Sequence, residues 1–174
     1  METIRNYAEI NLDDLNILLE KSKRKIFSFF ESTVGQKWQS LYDYKNPICI
    51  ALCQGAAMHY YDKINGIKDF DIWFFYKYNK KHLPYRTVWS CDFENQKFGS
   101  HPEQKEYIGR GIDIILRSIK TDVGNNPIDT IYNYFEFEKT KTSKLLAQKA
   151  VVILEPENLF GKTIWYKGRI EKIS

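Results

Sequence analysis

Apolar residues recur between positions 11 and 31 with the spacing of an amphipathic helix. They are Leu12, Leu15, Leu18, Leu19, Ile26, Phe29 and Phe30. Asn11 stands where an N-cap is expected, and Asp13 and Asp14 follow in the first turn, where the helix dipole favours negative charge. The pattern predicts one long helix, and a shorter helical piece is expected over 36–42.

The rest of the chain alternates short apolar runs with turn residues, which is typical of strands joined by helices and loops. We expect strands over 47–53, 68–78, 84–93, 110–116 and 150–154. We expect helices over 56–64, 128–138 and 142–149. The strand at 84–93 is expected to pair with the one before it, through a turn at 79–83. The segment around Trp165 is a candidate for one further edge strand.

These elements predict an α/β fold of the α+β type, with a small mixed β-sheet of four or five strands flanked by helices. The length of 174 residues suits a single domain, residues 1–174. Hydrophobic residues make up 43% and charged residues 28%, which excludes wholesale disorder. A formal charge of +4 permits an anionic ligand, and we expect no DNA partner from so small an excess.

The compartment is predicted from what the sequence lacks. The N-terminus has no apolar run of the kind found in signal peptides, and no stretch reaches the roughly 18 to 20 apolar residues of a membrane helix. We therefore expect a cytoplasmic protein with no membrane partner. Cys49 and Cys53 lie in an apolar run, which favours buried free thiols over a zinc site, because no second cysteine pair follows.

The first feature with chemical potential is Gly55, between a predicted strand and a predicted helix. A glycine there lets a phosphate group approach the backbone, and the amides and dipole of the helix N-terminus attract it. The alternative is that Gly55 only makes a turn.

Three aspartates form the second feature. Asp69 and Asp71 are two residues apart on a predicted strand, so they face the same side. Two such carboxylates repel each other, and a hard divalent cation such as Mg²⁺ relieves the repulsion. Asp113 lies inside an apolar strand, where an acid is costly to bury unless it is paired or bound to a metal. The alternatives are that the first two acids are solvated and that Asp113 points outward.

The order of strand, glycine turn, helix, Asp-x-Asp strand and later Asp strand resembles the nucleotidyltransferase superfamily of DNA polymerase beta, in its minimal form. The resemblance covers residues 47–116, and residues 117–174 form a C-terminal part outside it. It implies that Gly55 and Ala56 hold the triphosphate of a nucleotide such as ATP. It further implies two Mg²⁺ ions held by Asp69, Asp71 and Asp113, with Asp113 on the ion that activates the attacking hydroxyl.

The implied activity is magnesium-dependent nucleotidyl transfer from a nucleoside triphosphate to an unidentified hydroxyl on a small molecule, a protein or RNA. Members of the family usually have Gly-Ser or Gly-Gly at the turn, whereas this chain has Gly55-Ala56, so a hydroxyl is missing. A non-catalytic nucleotide- or partner-binding module of the same fold is therefore the alternative. A magnesium nuclease of another α/β fold, using the segment 136–141, ranks last because that segment has a helical pattern.

Other polar residues are secondary candidates. Five basic side chains are candidates to stabilise the leaving pyrophosphate: Lys68, Lys77, Arg86, Arg110 and Arg117. His101 lies in a polar loop beside a proline and is expected at the surface, with a role in the cleft as the alternative. His59, on the helix after Gly55, is expected to pack in the core or at its rim.

Overall fold

The computed structural model describes residues 4–39, 43–78, 88–120 and 126–170. Its strands are β1 (Cys49–Cys53), β2 (Phe70–Lys77), β3 (Val88–Asp92), β4 (Gly111–Ile119), β5 (Ala150–Glu155), β6 (Thr163–Tyr166) and β7 (Arg169–Ile170). Its α-helices are α1 (Leu12–Glu31), α2 (Gln54–Asp62), α3 (Pro127–Asn133) and α4 (Lys141–Ala147). A π-helical turn, Tyr134–Glu138, links α3 to α4, and short 3₁₀ turns occupy Gly35–Trp38, Gln96–Phe98 and Glu157–Leu159.

The strands of the described residues form one mixed sheet in the order β3-β4-β2-β1-β5-β6-β7. β2 and β4 are parallel, and the other neighbouring pairs are antiparallel. The predicted α/β class is confirmed, but the predicted count of four or five strands is too low. The chain reverses at Lys167 and Gly168, both with positive φ, and then adds the two-residue β7 beside β6.

The predicted partner of β3 is wrong. β3 pairs antiparallel with β4, with Ser90 opposite Asp113, and not with β2. A strand has two edges, and both edges of β2 are already occupied by β1 and β4. The turn predicted at 79–83 lies outside the described residues.

One face of the sheet is covered by α1 and α2. α1 begins with a capping box, in which the side chain of Asn11 accepts from the N–H of Asp14 and the carboxylate of Asp14 accepts from the N–H of Asn11. The apolar faces of both helices and alternate residues of the strands form a first core, which includes Leu18, Ala57 and Ile72. The helical period read from the sequence identifies most of the buried face of α1, but Leu12 is exposed.

The opposite face is covered by α3, the π-helical turn and α4. Side chains from these elements meet the other set of alternate strand residues in a second core, which includes Trp73, Ile115, Ile131, Tyr134 and Leu146. Residues 136–138 are helical, as the sequence predicts, and Lys139 follows as the left-handed C-cap. None of the helices in the described ranges is long and apolar enough to cross a membrane.

Three element boundaries differ from the prediction near the site. α2 begins at Gln54, which has φ 62°, so Gly55 and Ala56 lie inside its first turn. α2 ends at Asp62, with Lys63 in the left-handed conformation as its C-cap, rather than at the predicted Asn65-Gly66 stop. β2 begins at Phe70, so Asp69 immediately precedes the strand.

Candidate functional site

Asp71 and Asp113 stand side by side on the two parallel strands β2 and β4. They are partners in the register of this pair, and adjacent strands are about 4.8 Å apart. Because alternate residues face opposite sides, both acids share the face of Trp73 and Ile115, which belong to the second core. Two residues far apart in the sequence are thus neighbours on one face of the sheet.

This pair belongs to a row that crosses four strands. Cys53 of β1 is paired with Asp71, and Ser90 of β3 is paired with Asp113. The row runs from buried to accessible, because Cys53 is fully buried, the two acids are partly exposed and Ser90 is exposed. Ser90 Oγ donates to Asp113 Oδ1 over 2.6 Å. The hydroxyl of Ser90 thus fixes one carboxylate oxygen of Asp113. At the buried end of the row, burial raises the pKa of the Cys53 thiol, and the charges of Cys49 and Asp71 raise it further.

Asp69 lies close enough to Asp113 for their charges to interact. Burial and the Asp113 charge raise the pKa of the Asp69 carboxyl, while the neighbouring Lys68 and His101 act in the opposite direction. The three acids predicted from the sequence are therefore electrostatic neighbours at the N-terminal ends of β2 and β4. The alternative for Asp113 assumed an edge strand, which is wrong, since β4 lies between β3 and β2. Its side chain nevertheless faces away from the buried Ile112 and Ile114 and is partly exposed.

The N-terminus of α2 reaches the same end of the sheet. β1 is antiparallel to β2 and ends at Cys53, opposite Asp71, and α2 starts at the next residue. No side chain caps α2, whereas Asn11, Asn126 and Thr140 cap the other three α-helices. The first N–H groups of a helix have no partner within the helix, so an uncapped N-terminus can bind an anion.

Gly55 and Ala56 differ in what they offer at this N-terminus. A Cβ built on Gly55 would meet no atom within 4 Å, and Gly55 is not in the left-handed region, so neither packing nor backbone conformation requires a glycine there. Ala56 is buried, with its methyl group in the first core. Open space therefore lies over the backbone at Gly55, and Ala56 contributes only its amide.

The basic candidates are placed differently from one another. Arg110 is not available to a phosphate, because its guanidinium is buried and donates to the carbonyl oxygens of Ile4, Lys68 and Phe98. Arg117 donates to the hydroxyl of Tyr134 over 3.2 Å, on the face that carries Asp113.

Lys68 is exposed beside Asp69, and Lys77 is exposed at the far end of β2. Arg86 lies outside the described residues. Of the described candidates, Lys68 is thus the cation next to the acids.

The prediction for His101 is wrong. The sequence predicts a surface position, but only 5% of the residue is exposed, and it lies in the loop before β4 beside Asp69. Burial of this loop follows from tertiary contacts, among them the buried Phe98 and Arg110, and no periodic pattern marks it. His59 is fully buried, as predicted.

Within the ranges that the structure describes, no three His, Cys, Asp or Glu side chains are grouped as a ready metal site. The donor set is nevertheless of the hard oxygen type that Mg²⁺ prefers, and it consists of neighbouring like charges. Comparisons with protein-family models, with curated proteins and with solved structures found no match.

Proposed function

We propose that this protein is a magnesium-dependent nucleotidyltransferase, which transfers a nucleotidyl group from a nucleoside triphosphate to a hydroxyl acceptor. The observation that carries the proposal is the pairing of Asp71 with Asp113 on adjacent parallel strands, on one face of the sheet. The uncapped N-terminus of α2 begins one residue after Cys53, the register partner of Asp71. The carboxylates, on the face of the second core, and the uncapped N-terminus of α2, which covers the face of the first core, thus lie at the same end of the sheet.

The acids supply the ligands in this proposal. Asp69, Asp71 and Asp113 would hold two Mg²⁺ ions, which when bound stabilise charge on the attacking and leaving oxygens of an in-line displacement. Ser90 Oγ donates to Asp113 Oδ1, which fixes the orientation of this carboxylate. The strands fix the two neighbouring carboxylates before substrate arrives, which lowers the entropic cost of ordering them.

The backbone of α2 supplies the anion site. The amides of Gly55 and Ala56 bind the triphosphate, and the missing side chain at Gly55 leaves room for it. The acceptor oxygen forms a bond to the α-phosphorus while the bond from that phosphorus to the bridging oxygen breaks. Pyrophosphate leaves, and the proton of the hydroxyl is released to water.

A thermal-shift experiment tests the proposal. The wild type is melted with Mg²⁺ and each nucleoside triphosphate, and a triphosphate at about 100 times its dissociation constant is expected to stabilise it by about 2.7 kcal/mol. Asp71→Asn and Asp113→Asn are expected to lose most of that gain, because each removes a charged ligand. Asp13→Asn, at an exposed acid in the first turn of α1, is the matched control and should keep it. Equal stabilisation of all four proteins would refute the metal–triphosphate site.

A second candidate is a binding module of this fold that does not turn over. The observation that favours it is Ala56, whose methyl group lies in the core, so that no hydroxyl is offered beside the triphosphate. The two functions differ in one measurement. Pyrophosphate release across a panel of small-molecule, protein and RNA acceptors supports transfer, and triphosphate binding without release across that panel supports the module.

A further inference from the structure

A small cavity of about 70 Å³ lies beside Asp69. Lys68, His101, Glu103 and Gln104 complete its lining. The last three belong to the loop before β4, and Asp69 belongs to the proposed metal site. The cavity therefore adjoins the acids without being part of the α2 anion site.

His101 presents a buried hydrogen-bond donor in this lining. Its Nδ1 accepts from the N–H of Glu103 over 3.1 Å, so the proton of the neutral ring lies on Nε2. Nε2 is buried and has no hydrogen-bond partner among the described residues. A buried donor without a partner costs about 1–3 kcal/mol, so its presence calls for a physical explanation.

Gln104 presents the complementary acceptor. Its Oε1 is also buried and lacks a partner in the described part of the chain. The amide packs against Gly111, where an added Cβ would lie 2.7 Å from Oε1. Gly111 thus makes room for this amide at the start of β4, two residues before Asp113.

A hydroxyl group satisfies both atoms at once, because its oxygen accepts one hydrogen bond and its proton is donated in another. The cavity volume suits a small group, since one water molecule occupies about 30 Å³ in the liquid. A hydroxymethyl group fits this size, whereas a phosphate would place its charge against Asp69 and Glu103, and Lys68 offsets only one of these two negative charges. The chemistry of the lining therefore favours an alcohol over an anion.

We propose that this cavity binds the hydroxyl group of the acceptor, which accepts from His101 Nε2–H and donates to Gln104 Oε1. The inference rests on the proposed function, and it adds a binding site for the second substrate, the acceptor, beside Asp69. The acceptor is thereby assigned to the class of alcohols with a slim, unbranched hydroxyl-bearing end. His101 and Gln104 are its binding residues.

Nitrogen-15 NMR of the histidine rings tests the proposal with glycerol as the probe. His59 is the matched control, because it is buried and both its ring nitrogens are partnered: Nε2 with the carbonyl of Ala8 and Nδ1 with the N–H of Gly66. Glycerol is expected to shift the His101 signals saturably and to leave those of His59 unchanged. Gln104→Leu should weaken glycerol binding at least about fivefold, or about 1 kcal/mol, and Gln96→Leu, at an exposed glutamine of the same loop, should not.

A second arm separates this inference from the proposed function. Mg²⁺ with a non-hydrolysable triphosphate is added before glycerol, and glycerol is expected still to shift His101. In pyrophosphate-release assays with glycerol as acceptor, Gln104→Leu should raise the KM for glycerol and leave the KM for the triphosphate unchanged.

The possible failures are distinct. No His101 shift, or an equal shift in Gln104→Leu, overturns the hydroxyl site. If the triphosphate alone shifts the His101 signals and glycerol then no longer binds, the cavity binds the nucleotide, and its assignment to the acceptor is overturned. A glycerol shift in a protein that no triphosphate stabilises leaves the hydroxyl site standing and refutes nucleotidyl transfer.

Discussion

At the scale of single residues, Asp69 is held where its own charge is disfavoured. Burial and the Asp113 carboxylate both raise its pKa, and Lys68 and His101 offset this only in part. A raised carboxyl pKa means that the folded protein binds the proton more tightly than the unfolded chain. The contribution of Asp69 to stability therefore falls as the pH rises from its unfolded pKa through its folded pKa.

Replacing this charge should stabilise the protein. In chelator at pH 7, Asp69→Asn is expected to raise the free energy of unfolding by more than the roughly 0.5 kcal/mol typical of neutral surface changes. The gain should disappear at low pH, where Asp69 is protonated in both states. Urea unfolding at pH 7 and at low pH measures both.

Asp92→Asn is the control of opposite sign. Burial opposes the effect, but N–H groups of Glu94, Ile108 and Gly109 outweigh it and lower the pKa of Asp92. Its contribution to stability is present above the unfolded pKa and is lost as the pH falls through the folded pKa, so Asp92→Asn should destabilise at pH 7. Destabilisation by Asp69→Asn at pH 7 would contradict the account of Asp69.

Individual acids were readable from the sequence because an Asp inside an apolar run is conspicuous. Asp71 and Asp113 were identified in this way, and the structure brings them together. The burial of His101 and any role for Gln104 were not predicted, because both depend on how a loop of irregular sequence packs on Asp69 and Gly111. A local pattern carries no information about such contacts.

At the scale of elements, α2 is the described α-helix that begins without a capping side chain. Its neighbours in the chain start with capping side chains, whereas α2 starts at a left-handed Gln54 and continues with Gly55. Glycine is about 1 kcal/mol less favourable than alanine inside a helix. The glycine leaves open space over the backbone, which is where the proposed triphosphate would bind.

Gly55→Ala is expected to leave the free energy of unfolding unchanged or to raise it by up to about 1 kcal/mol. The same change should weaken triphosphate binding about tenfold, or about 1.4 kcal/mol, because the new methyl group occupies the space over the amides. Chemical unfolding and titration calorimetry with Mg²⁺ and triphosphate measure the two effects.

Gly109→Ala is the matched control for this glycine. Its Cβ would lie 2.6 Å from the carbonyl oxygen of Asn95, so it should lower the free energy of unfolding by about 1–3 kcal/mol. A Gly55→Ala variant that binds the triphosphate as tightly as the wild type would show that the anion does not sit over α2.

Element types were predictable further than element partners. The helical period of α1 and the apolar runs of β1, β2, β4 and β5 located these elements within a few residues. The partner of β3 was missed, because pairing depends on which strand edges remain vacant once the sheet is assembled. The neighbourhood of β2 and β4, on which the candidate site rests, is a non-local fact of the same kind.

At the scale of the whole molecule, the three thiols lie in one sheet but differ in burial. Cys49 and Cys53 lie in the central strand β1, fully buried in the second core, and burial raises the pKa of both thiols. Cys91 lies in the terminal strand β3 and is partly exposed, and burial also raises its pKa, though cations oppose the rise. Exposing β1 requires separation of the sheet from its covering helices.

Alkylation with iodoacetamide at pH 8, followed by mass spectrometry, should therefore label Cys91 first. Cys49 and Cys53 should react later and together, at the rate of global unfolding, because β1 is the central strand of the sheet and all five of its residues are buried. Low urea should accelerate the pair more steeply than it accelerates Cys91. Labelling of Cys49 or Cys53 in native buffer at the rate of Cys91 would show that the sheet opens in parts.

The parallel register of β2 and β4 has a consequence for how such a protein tolerates insertions and deletions. Side chains alternate between faces, so one residue added to or removed from the first half of β4 turns Asp113 toward the first core and an isoleucine toward Asp71. A change of length in the segment between β2 and β3 keeps the pairing and leaves both carboxylates where they are. Viable length variants of this chain should therefore accumulate between β2 and β3 and be absent from the strands themselves.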